Sequence, residues 1–178
     1  MSILFTVCGR AGSKGIKEKN VRPFLKYPLP YYTLSAIELF CAGKDLDYDI
    51  VVSTDSEKLK KLTRENPFVQ AQIVDRVPEL SGDRVPKPAV IRDAMDQMEQ
   101  RTGKSYEMVV DLDITSPLRK VRDIEALIAK KYETNCDVVY SVTESRRNPY
   151  FNMVMPADRG YRKVIESDFV TRQQAPLI

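Results

Sequence analysis

Two stretches of this chain carry side chains whose types and spacing could do chemistry. The first is CGRAGSKGIKEKN, Cys8 to Asn20, with glycines at positions 9, 12 and 15 and the cations Arg10, Lys14, Lys17 and Lys19 set against one acid, Glu18. A loop of small residues with that charge suits an anionic ligand: successive backbone N–H groups can face phosphate oxygens while Arg10, Lys14 and Lys19 neutralise them. The alternative is a flexible turn whose lysines are simply solvated. Neither familiar phosphate loop fits, because Lys14 precedes Gly15 where GxxxxGK would need the reverse, and the glycine spacing fails GxGxxG. The second stretch is DLDITSPLR, in which Asp111 and Asp113 stand two apart. On a strand that spacing puts both carboxylates on one face, able to reach one ion. The chain has no histidine, which removes Ser-His-Asp triads, Cys-His pairs and histidine-ligated zinc. Chemistry here must run on Asp, Glu, Lys, Arg, Ser, Tyr or a metal ion.

These residues need elements to position them. SILFTVC reads as a buried strand running straight into the glycine loop. A helix follows in PYYTLSAIELFCAG, with Gly43 as its stop, then a strand in DYDIVVSTD and a helix in EKLKKLTREN capped by Ser56. PFVQAQIVDRV predicts a strand, Ala89 to Arg101 a helix, YEMVVDLDI a strand, IEALIAKKYETN a helix and CDVVYSVTES a further strand. FNMVMPADRGYRKVIE predicts a hairpin turning at Asp158 to Gly160. Alternating strands and helices imply an α/β fold with a mostly parallel sheet, helices on both faces, and ligands beyond the carboxyl ends of the strands. The glycine loop, Thr54 and Asp55, Arg76, and Asp111, Asp113 and Arg119 all fall at that edge. Asp55 reads as a cap for the next turn, outside the site.

Composition narrows the setting. The length of 178 residues suits one domain that buries about two thirds of its unfolded surface. Cys8, Cys41 and Cys136 are odd in number and far apart, which excludes a disulfide framework and points to a reducing, cytoplasmic compartment. A net charge of +3, from 28 cations and 25 acids, is too mild for a nucleic-acid partner. The opening apolar run is too short for a signal-peptide core and no later run approaches a membrane span.

GRAGSKGIKEKN resembles the R-x-G-S-K-G-I-x-x-K-N signature of the acylneuraminate cytidylyltransferases, the enzymes that make CMP-sialic acid and its bacterial relatives. VVSTDSEKL, RVPELSGD, LDITSPLR, RRNPYFNMV and TRQQAP resemble later blocks of that family in the same order, so the similarity runs from residue 3 to residue 176. The resemblance implies a three-layer α/β/α sandwich of the nucleotide-diphospho-sugar transferase, glycosyltransferase-A-like kind. It implies transfer of CMP from CTP to the 2-hydroxyl of a nine-carbon 2-keto sugar acid, with pyrophosphate released and Mg2+ as cofactor. Phosphoryl transfer rests on positioning and charge, which suits a chain without histidine.

The same resemblance implies residue roles. Arg10 and Lys19 would hold the triphosphate, Gly12 and Ser13 would cradle it, Asn20 would fix the nucleotide, and Arg76 would read cytosine through its guanidinium fork. For Arg76 a surface pairing with Glu79 stands as the alternative. Asp113 would be the Mg2+ ligand, since that ion takes one or two carboxylates and fills its shell with water and phosphate, and Asp111 would be a second ligand or a cap on the following turn. Arg10, Lys19 and Asp113 form the implied catalytic set. Tyr150, Phe151 and Asn152 would wall the sugar site, although the two aromatics suit plain core equally well. Arg172 and Gln173 would meet the sugar carboxylate across a homodimer, with 140–175 as the dimerisation arm. Many relatives place serine eleven residues after Arg76; this chain has Lys87, and that role is not carried over. Aspartate at position 113, where many sialic acid enzymes have glutamine, keeps legionaminic and pseudaminic acids beside sialic acid as the acceptor class. A 3-deoxy-octulosonate-type transferase is a second reading. A third follows from the family's additional C-terminal segment, with its strand and carboxylate cluster, beyond the position of Ile178: a nucleotide-binding or dimerising module without turnover.

Overall fold

Residues 2–12, 15–82, 84–145 and 147–176 are described by a computed structural model, with the side chain of Arg172 outside that description. Contacts divide the chain into two units, Met1–Ala129 and Lys130–Ile178.

The first unit is built on strand β1, Ser2–Cys8, whose residues Ser2 to Val7 are all buried. A continuous apolar run has no solvent face, so it belongs between two neighbours in a sheet covered on both sides. That is where it lies. Two short strands, β2 at Pro23–Phe24 and β3 at Tyr27–Pro28, form a small antiparallel ribbon before helix α1, Leu29–Cys41. Strand β4, Asp47–Thr54, helix α2, Glu57–Arg64, strand β5, Gln72–Asp75, helix α3, Lys87–Thr102, strand β6, Met108–Asp111, and helix α4, Val121–Thr134, follow in order. The sheet runs β5-β4-β1-β6, and every pairing in it is parallel.

Alternation along β1 divides the core into two layers. Ile3, Phe5 and Val7 pack with Leu34, Ile37 and Phe40 of α1, Leu59 of α2 and Ile124 and Ile128 of α4. Leu4 faces the other way and packs with Val51, Val74 and the α3 residues Ala94 and Met98. Each fully buried side chain of this size contributes about 1.5–3 kcal/mol relative to exposure. The result is the expected α/β arrangement, a parallel sheet with helices on both faces. The register aligns the strand ends: Cys8 lies opposite Ser53, Thr6 opposite Asp111, and Thr54 opposite Asp75. The segments leaving β1, β4, β5 and β6 therefore start from one edge.

In the second unit the predicted hairpin is present, with strands β7, Val154–Pro156, and β8, Tyr161–Lys163, closed by Ala157 N–H donating to Gly160 O. Gly160 takes the left-handed conformation the turn requires, at φ 80°. The strand expected in CDVVYSVTES does not form: residues 137–145 carry no regular structure. Val138, Tyr140 and Val142 are 71, 76 and 84% exposed, so the residue types suit a strand while the ladder and the covering layer that would hold one are missing among the described residues. Among the described residues no helix is long and apolar enough to cross a membrane.

Candidate active site

The glycine loop leaves β1 under tight control. Gly9 N–H donates to Ser53 O at 3.0 Å, and the Thr54 hydroxyl donates back to Gly9 O. Ala11 N–H donates to Asp55 Oδ1 at 2.8 Å, and Asn20 Nδ2 closes the loop on itself through Arg10 O at 3.0 Å. The loop is thus pinned to the end of β4. Asp55, expected only to cap the next turn, anchors the loop instead, and Ser56 is the cap, accepting from Leu59 N–H at 3.3 Å. Past the glycines, Glu18 takes a left-handed φ of 56° and leads into a single 3-10 turn, Lys19–Val21. Open space surrounds the Cβ positions of Gly12 and Gly15, which leaves their backbone approachable.

Arg76 follows β5 and is buried. Its N–H donates to Thr54 O at 3.2 Å and its Nη2 to Ser53 O at 3.0 Å, which holds the guanidinium beneath the loop rather than at the surface beside Glu79. Its buried Nε has no acceptor among the described residues. Below it sits Cys8, whose thiol is pushed up to about 12 by burial and then by the Asp111 carboxylate, with Arg76 and Lys87 opposing.

Asp111 and Asp113 meet as their spacing predicts, and the cation between them is Lys87. Its Nζ lies 2.5 Å from Asp111 Oδ2 and 2.5 Å from Asp113 Oδ1. Asp111 uses its other oxygen to accept from the Thr6 hydroxyl at 2.9 Å, which leaves neither oxygen uncommitted, whereas the Asp113 side chain is 59% exposed. Burial alone would lower the Lys87 pKa, but the charge and hydrogen bonds of Asp111 and then Asp113 outweigh it and raise the ammonium above its ordinary value. Arg119 shifts the other way: burial lowers it against the pull of Asp113, Asp111 and Asp123. Lys87, to which the sequence reading gives no role, is the residue that joins the two aspartates. No local signal marks it: the sequence places the helix start at Ala89, and the two aspartates lie more than twenty positions further along the chain.

These residues surround one cavity of about 610 Å3, lined among others by Cys8, Arg10, Lys19, Asn20, Arg76, Lys87 and Asp113. That volume accommodates a nucleotide-sized ligand, and the lining cations favour an anionic one. Among the described residues no group of three or more acidic or cysteine side chains is placed to hold a metal. The single carboxylate of Asp113 suits Mg2+ that takes its other ligands from water and phosphate; Asp111 is already engaged.

Over residues 4–154 the chain matches the family model described as Cytidylyltransferase. It belongs to the cytidylyltransferase family. Similar proteins from Campylobacter bear out the resemblance drawn from the sequence. The chain is 33% identical over 178 residues to post-translational flagellin modification protein B of Campylobacter coli, covering 98% of this chain and 72% of that protein. It is 33% identical over 174 residues to CMP-N,N'-diacetyllegionaminic acid synthase of Campylobacter jejuni, with the same coverage of each. Similarity to N-acylneuraminate cytidylyltransferase of Streptococcus agalactiae is 30% over 174 residues, covering 92% of this chain and 40% of that one. In three dimensions this cytidylyltransferase-family chain resembles the CMP:2-keto-3-deoxy-manno-octonic acid synthetase solved with CTP, at a TM-score of 0.59 and 14% identity, covering 76% of this chain and about half, 49%, of the other. That likeness shows the fold, the nucleotidyltransferase α/β fold expected.

The remaining predicted site residues divide by unit. Ser13 lies outside the described residues. Tyr150, Phe151 and Asn152 belong to the second unit and gather around Asn148, whose Oδ1 accepts from Tyr150 N–H and whose carbonyl accepts from the N–H groups of Phe151, Asn152 and Met153. Asn152 Oδ1 in turn accepts from Asn148 N–H at 2.7 Å, and Tyr150 stacks edge-on against Phe169. Arg172 and Gln173 lie in a 3-10 turn, Arg172–Gln174, with Gln173 exposed.

Proposed function

We propose that this chain is a nucleotidyltransferase unit that transfers CMP from CTP to the 2-hydroxyl of a nine-carbon 2-keto sugar acid and releases pyrophosphate. The observation that carries the reading is the cation-lined cavity at the ends of β1 and β5, in a chain that matches the cytidylyltransferase family model over that whole region. The Campylobacter relative named for diacetyllegionaminic acid, matched over 98% of this chain, supports an acceptor of the legionaminic type.

In this mechanism Arg10 and Lys19 bind the triphosphate, the open backbone at Gly12 faces its oxygens, and Ser13 is assigned to the same cradle. Asn20 keeps the loop closed through Arg10 O, so the phosphate-facing groups are oriented before the nucleotide arrives. Arg76, fixed by Ser53 O, keeps further guanidinium donors for the carbonyl and ring nitrogen of cytosine. Mg2+, held by Asp113 and phosphate oxygens, would neutralise charge as the leaving pyrophosphate forms. The sugar acid is assigned to Tyr150, Phe151, Asn152, Arg172 and Gln173. The exposed apolar side chains of the second unit, among them Tyr140, Val142, Tyr161 and Val170, support its role as a homodimer arm. The three free thiols support a cytoplasmic setting.

The test is pyrophosphate release with each of the four nucleoside triphosphates, Mg2+ and a panel of legionaminic, pseudaminic, neuraminic and 3-deoxy-octulosonic acids. Release that requires CTP and a nine-carbon acid is the expected result. Equal rates with all four bases remove the Arg76 assignment, release with 3-deoxy-octulosonate alone moves the acceptor class, and CTP binding without any product leaves a nucleotide-binding module.

A further inference from the structure

The Asp111 and Asp113 oxygens that converge on one point do so around an ammonium belonging to the chain itself. Lys87 Nζ is 2.5 Å from each. Asp111 is held in place from behind by the Thr6 hydroxyl, in a register where Thr6 and Asp111 are direct partners across β1 and β6. Lys87 is held by its position at the start of α3, between Pro86 and Pro88, where it gains nothing from the helix and depends on the two carboxylates for its compensation. A divalent ion bridging the pair would need the point that the ammonium occupies.

We propose that Lys87 is a positioning residue that closes the Asp111 and Asp113 pair to divalent cations, so that metal enters with the triphosphate rather than ahead of it. Two positive groups cannot share that point. A unit charge about 4 Å from a doubly charged ion weakens its binding by about tenfold or more even at the dielectric of water. The incoming triphosphate supplies what the pair lacks, since Lys87 lines the same cavity as Arg10, Lys19 and Arg76 and gains an anionic partner there. Asp113, the more exposed carboxylate, is then the one released. The order of entry rests on the cytidylyltransferase reading; the closing of the pair does not.

The experiment titrates Mn2+ into the full chain without nucleotide and follows the signal of the free ion by electron paramagnetic resonance. Lys87→Gln is expected to bind one Mn2+ about tenfold or more tighter than the unsubstituted protein, and adding Asp113→Asn to it is expected to abolish that gain. Equal binding with and without Lys87, or a gain that survives Asp113→Asn, overturns the proposal. The unsubstituted protein also tests it alone, should Lys87→Gln fail to fold: weak, non-saturating binding supports the closed pair, and a single Mn2+ site in the micromolar range overturns it. No nucleotide is present, so failure here leaves the cytidylyltransferase reading standing, and failure of the pyrophosphate assay leaves the metal result standing.

Discussion

Gly9, Gly12 and Gly15 look alike in the sequence, and each reads as room for a ligand. Packing separates them. A Cβ on Gly9 would lie 2.6 Å from Leu59 Cδ2 and 2.7 Å from Ile114 Cδ1, side chains that are 0% and 1% exposed, while a Cβ on Gly12 would meet nothing within 4 Å. Gly9 therefore serves the contact of loop and core. Gly9→Ala is expected to lower the unfolding free energy by about 1–3 kcal/mol through overpacking. Gly12→Ala is expected to stay within about 0.5 kcal/mol, as exposed substitutions do. Urea unfolding of the two variants measures the difference, and equal losses would count against the packing role of Gly9. Lys87 was hidden for a similar reason. Its chemistry depends on two residues more than twenty positions away, which no local pattern brings together.

At the scale of elements, local signals read well wherever they carried their own physics. Ser56 before a helix, Gly43 after one, and Asp158 to Gly160 between two short strands each satisfy backbone groups within a few residues, and each feature is present. The start of α3 was misplaced by two residues, at Ala89 rather than Lys87, because the first turn of that helix is set by Pro88 and not by a polar cap. CDVVYSVTES failed because a strand needs a neighbour, and composition cannot say whether one is present. Helix α2 offers a direct check. Ser56→Ala removes the oxygen that accepts from Leu59 N–H and is expected to cost about 0.5–2 kcal/mol, whereas Ser56→Asp, which keeps the acceptor and adds a favourable charge at the helix start, is expected to retain most of the stability. Thermal melts that rank Ser56→Asp no better than Ser56→Ala would remove the cap from the account.

For the whole molecule, the thiols report on folding and on pH. Cys136 is exposed, while Cys41 is buried and pushed up to about 11, by burial first and then by Glu38. Cys8 stands at about 12 for the reasons of its setting. At pH 8 a thiol titrating near 11 is ionised in only about one molecule in a thousand, so a thiol reagent is expected to label exposed Cys136 first, half-buried Cys8 more slowly and buried Cys41 only on unfolding. Prompt labelling of all three would contradict the burial. Both raised values mean that the folded chain keeps protons the unfolded chain gives up. The associated stability is complete below the ordinary thiol value near 9.0 and falls as pH rises towards 11 and 12, which alkaline urea titrations would show as a declining midpoint. Convergence of the glycine loop, Arg76 and the aspartates on one edge was legible, because parallel order alone sends the ends of the strands to the same side. The division into two units was not, since helix α4 runs across the boundary without any break in its pattern.

The place of β1 at the middle of the sheet has a consequence for how the protein is made. Its partner β4 begins at Asp47, and its other partner, β6, begins at Met108, about a hundred residues after Cys8. At a translation speed of about 5–20 residues per second, the most apolar strand of the protein spends about 5–20 s emerging and waiting before its second neighbour exists. Throughout that interval the nascent chain carries an incomplete sheet, and the cell must shield it from wrong partners until the ribosome delivers the right one.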